Sequence, residues 1–138
     1  MTGYVIDASA MGPLIIPDEH DELISILPQI LASDDALVPQ HWRLEVANLA
    51  RMAVRKKRLT EKLLVEAFNA LSIFDIVLDP HTDTYAWDKS LRLAAQHDLS
   101  AYDAAYLELA IRSKRIFVTK DKALIRAAHS EKVETLSQ

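Results

Sequence analysis

Short apolar, β-branched segments alternate along this chain with longer segments of helical periodicity. That alternation is typical of a parallel sheet covered by helices. The segments predicted as strands are "YVI" (4–6), "ALV" (36–38), "DIV" (75–77), "IFV" (116–118) and "VETL" (133–136). We therefore expect an α/β fold with a central, mainly parallel sheet of four to five strands.

Apolar residues at helical spacing predict the helices between these strands. The first helix carries Leu23, Ile26, Leu27, Ile30 and Leu31, and Pro28 is expected to kink it. Further helices are predicted at about 41–57, 60–72, 82–97, 101–113 and 121–129. Thr60 is the expected N-cap of the second of these, which should turn Leu63, Leu64, Ala67, Phe68 and Leu71 inward. No repeat or Pro-, Gly- or Ser-rich linker divides the chain, so we expect one domain over residues 1–138.

The composition excludes several kinds of chemistry. The 138 residues include no Cys, which excludes a disulfide framework, thiol catalysis and Cys-ligated zinc. Only two glycines are present, too few for a Gly-rich phosphate-binding loop. Any metal must therefore be held by Asp, Glu, His or water. The net charge of −4 does not indicate nucleic-acid binding by the whole surface, although local charge could still do so.

Neither a signal peptide nor a membrane span is evident. The first residues, "MTGYVIDAS", lack a basic region and carry an acid inside the apolar run. No apolar run approaches the roughly 20 residues that cross a bilayer. These features predict a soluble cytoplasmic protein.

Four acids either follow predicted strands or stand early in predicted helices, and each also has an ordinary structural interpretation. Asp7 directly follows "YVI" and could cap a helix, as could Ser9. Glu45 lies early in the helix after "ALV", where the helix dipole alone would favour an acid. Asp103 forms a capping-box pattern with Ser100 in "LSAYDAAYLELA". Asp121 follows "IFVTK" and could cap the last helix, with Thr119 competing for that place.

The positions of these acids relative to the sheet point to a common site. In a parallel sheet, the strand exits and the starts of the following helices lie at the carboxyl edge, where such folds bind ligands. Asp7 and Asp121 leave strands there, and Glu45 and Asp103 lie in first turns of helices that begin there. Clustered carboxylates raise one another's pKa unless a cation neutralises them. Oxygen ligands without thiolates favour Mg²⁺ or Mn²⁺.

A divalent metal on carboxylates suits hydrolysis of a phosphodiester. Thr119 could then hydrogen-bond the attacking water or a phosphate oxygen, and Ser9 could hold the Asp7 carboxylate. Both hydroxyls also have ordinary turn and capping interpretations. His41, four residues before Glu45, could add a nitrogen ligand, or simply cap the helix or pair with the acid.

Two basic segments could guide a phosphate backbone. The denser one, "RMAVRKKR" (51–58), is followed by Lys62, and the second combines "RSKR" with Lys120, Lys122 and Arg126. Basic residues late in a helix also complement its dipole, so a solvated helix end is the alternative. The candidate RNA-binding residues are Arg51, Arg55, Lys56, Lys57, Arg58 and Lys120.

Four motifs in this order resemble the PIN-domain family, and most closely its VapC ribonuclease toxins. They are "VIDASA", "RLEVANLA", "LSAYDAAYLELA" and "FVTKDKAL". The resemblance implies a three-layer α/β/α PIN-like domain in which Asp7, Glu45, Asp103 and Asp121 bind the metal, supported by Ser9 and Thr119. It also implies Mg²⁺- or Mn²⁺-dependent cleavage of a structured RNA such as tRNA or rRNA, a homodimer, and a cognate antitoxin that blocks the site.

Other classes of protein remain open. Haloacid-dehalogenase phosphatases need a second Asp two residues after the first, where this chain has Ser9. A receiver domain needs a Lys at its late strand exit, which Lys120 offers, but its paired acids after the first strand are missing. A housekeeping PIN nuclease is a third alternative. A non-catalytic binding module would have acids that point apart or pair with cations of their own.

Overall fold

The five strands form one parallel sheet in the computed structural model, which describes residues 3–33 and 35–136. The strands are β1 (Tyr4–Ile6), β2 (Ala36–Val38), β3 (Val77–Leu78), β4 (Ile116–Val118) and β5 (Thr135–Leu136). Their order across the sheet is β3-β2-β1-β4-β5, and each neighbouring pair is parallel. The predicted parallel sheet is confirmed, with β1 at its centre.

Helices flank this sheet and complete the expected three-layer α/β architecture. They are α1 (Gly12–Ile15), α2 (Leu23–Ala32), α3 (Trp42–Arg55), α4 (Glu61–Leu71), α5 (Thr82–Tyr85), α6 (Leu91–His97), α7 (Ala101–Ser113) and α8 (Lys122–Ser130). A 3₁₀ turn (Ala8–Met11) directly follows β1. The helix predicted over 82–97 is interrupted by a π-helical turn (Ala86–Ser90) between α5 and α6.

The third strand begins two residues later than its apolar pattern predicts. Val77 pairs with Leu37, and Leu78 pairs with Val38. The Asp79 N–H then donates to the Val38 carbonyl at 2.8 Å. Ile76 is buried but lies outside the ladder. The apolar pattern reports burial, whereas the register with β2 determines which residues pair.

Two predicted helix caps are present. The Thr60 hydroxyl accepts a hydrogen bond from the Leu63 N–H at 3.1 Å and caps α4. The Ser100 hydroxyl accepts one from the Asp103 N–H at 3.0 Å and caps α7. The second cap sets the start of α7 and so places Asp103 in the first turn of that helix.

The core lies between the sheet and its nearest helices. The strand residues of this core are fully buried, namely Val5, Ile6, Val38, Phe117 and Val118. Residues 104–110 of α7 are also buried, each at most 7% exposed. By contrast, α4 has no buried residue, and the prediction that Leu63 turns inward is wrong, because its side chain is 41% exposed. This helix packs on α1 and α3 at the periphery of the core.

No helix within residues 3–33 and 35–136 combines the length and the apolar character that crossing a membrane requires.

Candidate active site

All four predicted acids line one open pocket of about 440 Å³. Asp7 leaves β1, and Asp121 follows β4. Glu45 and Asp103 come from the first turns of α3 and α7. Ser9, His41 and Asn48 also line this pocket, which we call the acidic pocket. Chain segments more than 100 residues apart therefore contribute to a single site.

Asp7 is held by two hydroxyl groups. Its Oδ2 accepts a hydrogen bond from Ser9 Oγ at 2.6 Å and another from Thr119 Oγ1 at 2.8 Å. Although Asp7 directly precedes the 3₁₀ turn, its side chain makes no capping hydrogen bond there. The capping interpretation of Asp7 is therefore wrong, because the carboxylate turns toward β4.

Burial raises the pKa of Asp7 to about 6, against its usual value near 4. Asp7 is only 4% exposed. The hydrogen bonds from Ser9 and Thr119 oppose the shift, while the negative charges of Asp103 and Glu45 add to it. A cation placed beside Asp7 would remove this penalty.

The two hydroxyls also tie the exits of β1 and β4 together. Thr119 is fully buried, and its Oγ1 accepts a hydrogen bond from the Asp121 N–H at 3.0 Å. Ser9 Oγ accepts one from the Lys120 N–H at 3.1 Å. Each hydroxyl therefore donates to Asp7 and accepts from the backbone of the β4 exit turn. Ser9 serves this link, and its hydroxyl makes no capping hydrogen bond at the 3₁₀ turn.

Asp121 and Asp103 complete the far side of the acidic pocket. Asp121 is the N-cap of α8, since its Oδ1 accepts a hydrogen bond from the Leu124 N–H at 3.0 Å. The pKa of Asp103 is raised, first by burial and then by the charges of Asp121 and Glu45. The Ser100 hydroxyl and His41 oppose that shift. The capping prediction for Asp121 is confirmed, and capping leaves its second oxygen available to the pocket.

Tyr106, which the sequence reasoning missed, holds Glu45. Its hydroxyl donates a hydrogen bond to Glu45 Oε1 at 2.6 Å. His41 Nε2 lies 3.6 Å from the same oxygen, and its hydrogen-bond partner is the Tyr102 carbonyl oxygen at 3.1 Å. Burial and the Glu45 hydrogen bond raise the pKa of Tyr106, so the phenol keeps its proton. Its position one helical turn after Asp103, in "YDAAY", was the available signal.

The donor atoms of the acidic pocket fit a hard divalent cation. In the described part of the chain, none of the four acids pairs with Lys or Arg. No group of three or more His, Asp or Glu side chains there has an arrangement that could hold a metal ion as it stands. Mg²⁺ does not need such a cage, because it commonly binds through one or two carboxylates and keeps several waters.

The predicted RNA-binding residues fall into two groups. Arg51 pairs with Glu61 at 3.0 Å, Arg58 with Asp18 at 2.7 Å, and Lys120 with Glu19 at 3.3 Å. Arg55, Lys56 and Lys57 are exposed, and no acid within residues 3–33 and 35–136 pairs with them. Only the second group therefore offers unpaired positive charge.

The fold and the site define a parallel α/β domain with an acidic pocket at the carboxyl edge of its sheet. Residues 4–130 match the PIN domain family, and the chain belongs to that family. PIN domains are generally nucleases, and they generally use divalent metal ions.

Two solved structures share this fold. PAE2754 from Pyrobaculum aerophilum is 21% identical, with a TM-score of 0.69 over 97% of this chain and 83% of that one. FitAcB from Neisseria gonorrhoeae is 17% identical, with a TM-score of 0.61 over 96% of each chain. No curated protein matches the sequence.

Proposed function

We propose that this protein is a metal-dependent endoribonuclease that hydrolyses RNA phosphodiester bonds. The observation that carries the proposal is the convergence of Asp7, Glu45, Asp103 and Asp121 on one pocket without Lys or Arg partners. Capping explains Asp121 alone among them. Membership of the PIN-domain family supports nuclease activity.

The four acids would hold Mg²⁺ or Mn²⁺, either directly or through waters that the metal keeps. When bound, the metal would lower the pKa of a coordinated water and neutralise charge on the phosphate in the transition state. Ser9 and Thr119 orient Asp7 through their hydrogen bonds to its Oδ2. Tyr106 does the same for Glu45. The exposed Lys56 and Lys57 would contact the RNA backbone.

Cleavage of RNA by purified protein tests this proposal. We expect cleavage with Mg²⁺ or Mn²⁺, none after chelation, and none with Asp7→Asn. Asp75→Asn is the matched control, because Asp75 is exposed and does not line the acidic pocket. Metal-independent cleavage, or full activity of Asp7→Asn, would show that the proposed chemistry is wrong.

We further propose that the nuclease is the toxin of a type II toxin–antitoxin module, acting as a homodimer in the cytoplasm and blocked by a cognate antitoxin. The resemblance of the four motifs to VapC toxins supports this proposal. Induced expression in a bacterial host should arrest growth with the wild-type chain and not with Asp7→Asn. Coexpression of a small protein encoded directly upstream should restore growth. A housekeeping nuclease would leave growth unaffected at the same expression level.

A further inference from the structure

We propose that Tyr106 is a positioning residue for the metal site, because its hydroxyl holds one oxygen of Glu45 and leaves the other for the cation. The Tyr106 hydroxyl lies 2.6 Å from Glu45 Oε1, and no described residue donates a hydrogen bond to Oε2. This inference rests on the proposed function, since it assigns a task to a residue around the same site.

Three of the four acids share this arrangement. Asp7 accepts hydrogen bonds on Oδ2, Glu45 on Oε1, and Asp121 on Oδ1. The second oxygen of each accepts no hydrogen bond from the part of the chain that the structure describes. In each of these three acids, a protein donor holds one oxygen and so sets the direction of the carboxylate. The other oxygen is left for the cation. Hydrogen bonds to ligating carboxylates orient them and tune metal affinity.

Glu45 needs such support more than the other two. Its side chain is longer than that of Asp and half-buried, so it has more rotamer freedom to lose when a cation binds. Tyr106 is a rigid donor, because it is fully buried and has only two side-chain torsions. The His41 ring packs edge-on against Tyr106, with 5.2 Å between the ring centroids.

The hydrogen bond also connects two ligand-bearing helices. Glu45 belongs to α3, and Tyr106 follows Asp103 by three residues on α7. Holding Glu45 against Tyr106 therefore limits the distance between the Glu45 and Asp103 carboxylates. Loss of the bond should weaken metal binding by letting Glu45 take other rotamers, without removing any ligand.

Mn²⁺ binding to the RNA-free protein tests this proposal. Titration calorimetry should show a dissociation constant about 10- to 100-fold higher for Tyr106→Phe than for the wild-type chain. The variant removes one oxygen atom and keeps the ring, and Glu45 remains partly open to water, so the fold should be retained. Tyr4→Phe is the matched control, because the Tyr4 hydroxyl makes no hydrogen bond to a described residue. It should bind Mn²⁺ as the wild type does.

A comparison in the Glu45→Ala variant distinguishes positioning of Glu45 by Tyr106 from a general structural role of Tyr106. In Glu45→Ala, adding Tyr106→Phe should leave Mn²⁺ affinity unchanged, because the carboxylate to be positioned is gone. Equal weakening in both backgrounds, or wild-type affinity for Tyr106→Phe, would overturn the inference. Failure of the wild-type chain to bind Mn²⁺ would instead overturn the proposed function, and this inference with it.

Discussion

Thr119 donates a hydrogen bond to Asp7 Oδ2 at 2.8 Å, although 112 residues separate the two along the chain. The same Thr119 oxygen accepts from the Asp121 N–H at 3.0 Å. One buried hydroxyl therefore connects an acid after β1 with an acid after β4. Both acids line the acidic pocket.

Replacing Thr119 with Val should destabilise the protein by about 2 kcal/mol, because it removes a donor to Asp7 and leaves the Asp121 N–H without an acceptor. Urea unfolding in the presence of a chelator measures this free energy. Thr119→Ser keeps the hydroxyl and should recover most of the loss. Equal stability of the Val variant and the wild type would contradict this assignment.

Stability of the metal-free protein should fall as pH rises from about 4 to about 6, through the titration of Asp7. Its pKa is about 6 in the folded chain and about 3.9 in an unfolded chain, so the folded state binds the proton more tightly. A raised carboxyl pKa contributes stability at low pH that is lost as pH increases. The shift corresponds to about 2 to 3 kcal/mol.

Asp7→Asn tests that titration because it removes the charge at every pH. Relative to wild type, the variant should be about 2 to 3 kcal/mol more stable at pH 7 than at pH 4. Measurements with chelator present should show this difference, and Asp75→Asn should not. A difference that does not change with pH would assign the titration to another group.

Arg112→Met should destabilise the protein by about 3 to 5 kcal/mol, because it leaves two buried acids without their partner. Arg112 donates to Asp79 at 2.6 Å and to Glu108 at 2.7 Å, and both acids are at most 3% exposed. Burial raises the pKa of Asp79, but hydrogen bonds from Arg112, His81 and Thr82 lower it below its usual range. Thermal unfolding at neutral pH measures the loss.

Arg92→Met is the comparison for that experiment. Arg92 pairs with Asp88 on an exposed surface, and exposed pairs of this kind contribute little to stability. Its replacement should change the free energy of unfolding by less than about 0.5 kcal/mol. Equal losses for the two Arg variants would mean that the buried pair is no more important than the exposed one.

Lys56→Ala combined with Lys57→Ala should weaken RNA binding and make it less sensitive to salt. These lysines have no acid partner in the described ranges, whereas Arg58 is engaged by Asp18 and Glu19. Losing two phosphate contacts should reduce the slope of log K against log salt by about 1.4 for single-stranded RNA. Fluorescence anisotropy with the inactive Asp7→Asn protein measures that slope.

Arg58→Ala serves as the control for that binding experiment. Because its guanidinium is already paired with acids of the same chain, the salt slope should change little. A drop in slope for Arg58→Ala equal to that of a single Lys would show that RNA displaces Asp18. Unchanged RNA binding by the double Lys variant would mean that the RNA does not contact these lysines at the end of α3.

The predictable part of this fold rests on local patterns. The apolar runs at 4–6, 36–38 and 116–118 are strands with the predicted bounds, because β-branched segments between helices have few alternatives in an α/β chain. The caps at Thr60 and Ser100 were equally local, since each hydroxyl reaches an N–H three residues away. The third strand was displaced because its register depends on β2, which lies some 40 residues earlier.

The acidic pocket also has a part that could be predicted from the sequence and a part that could not. Its four acids could be identified from the chain, because the exits of parallel strands and the starts of the following helices share one edge of the sheet. The contact of Ser9 with Asp7 was also predicted, since the two lie two residues apart. The contacts of Thr119 with Asp7 and of Tyr106 with Glu45 could not be predicted, because they join residues 112 and 61 positions apart through packing. Only the tertiary structure showed that Asp7 is a buried carboxylate held by Thr119 rather than a helix cap. Tertiary packing likewise decided that Arg58 and Lys120 pair with acids and that Tyr106 contacts Glu45.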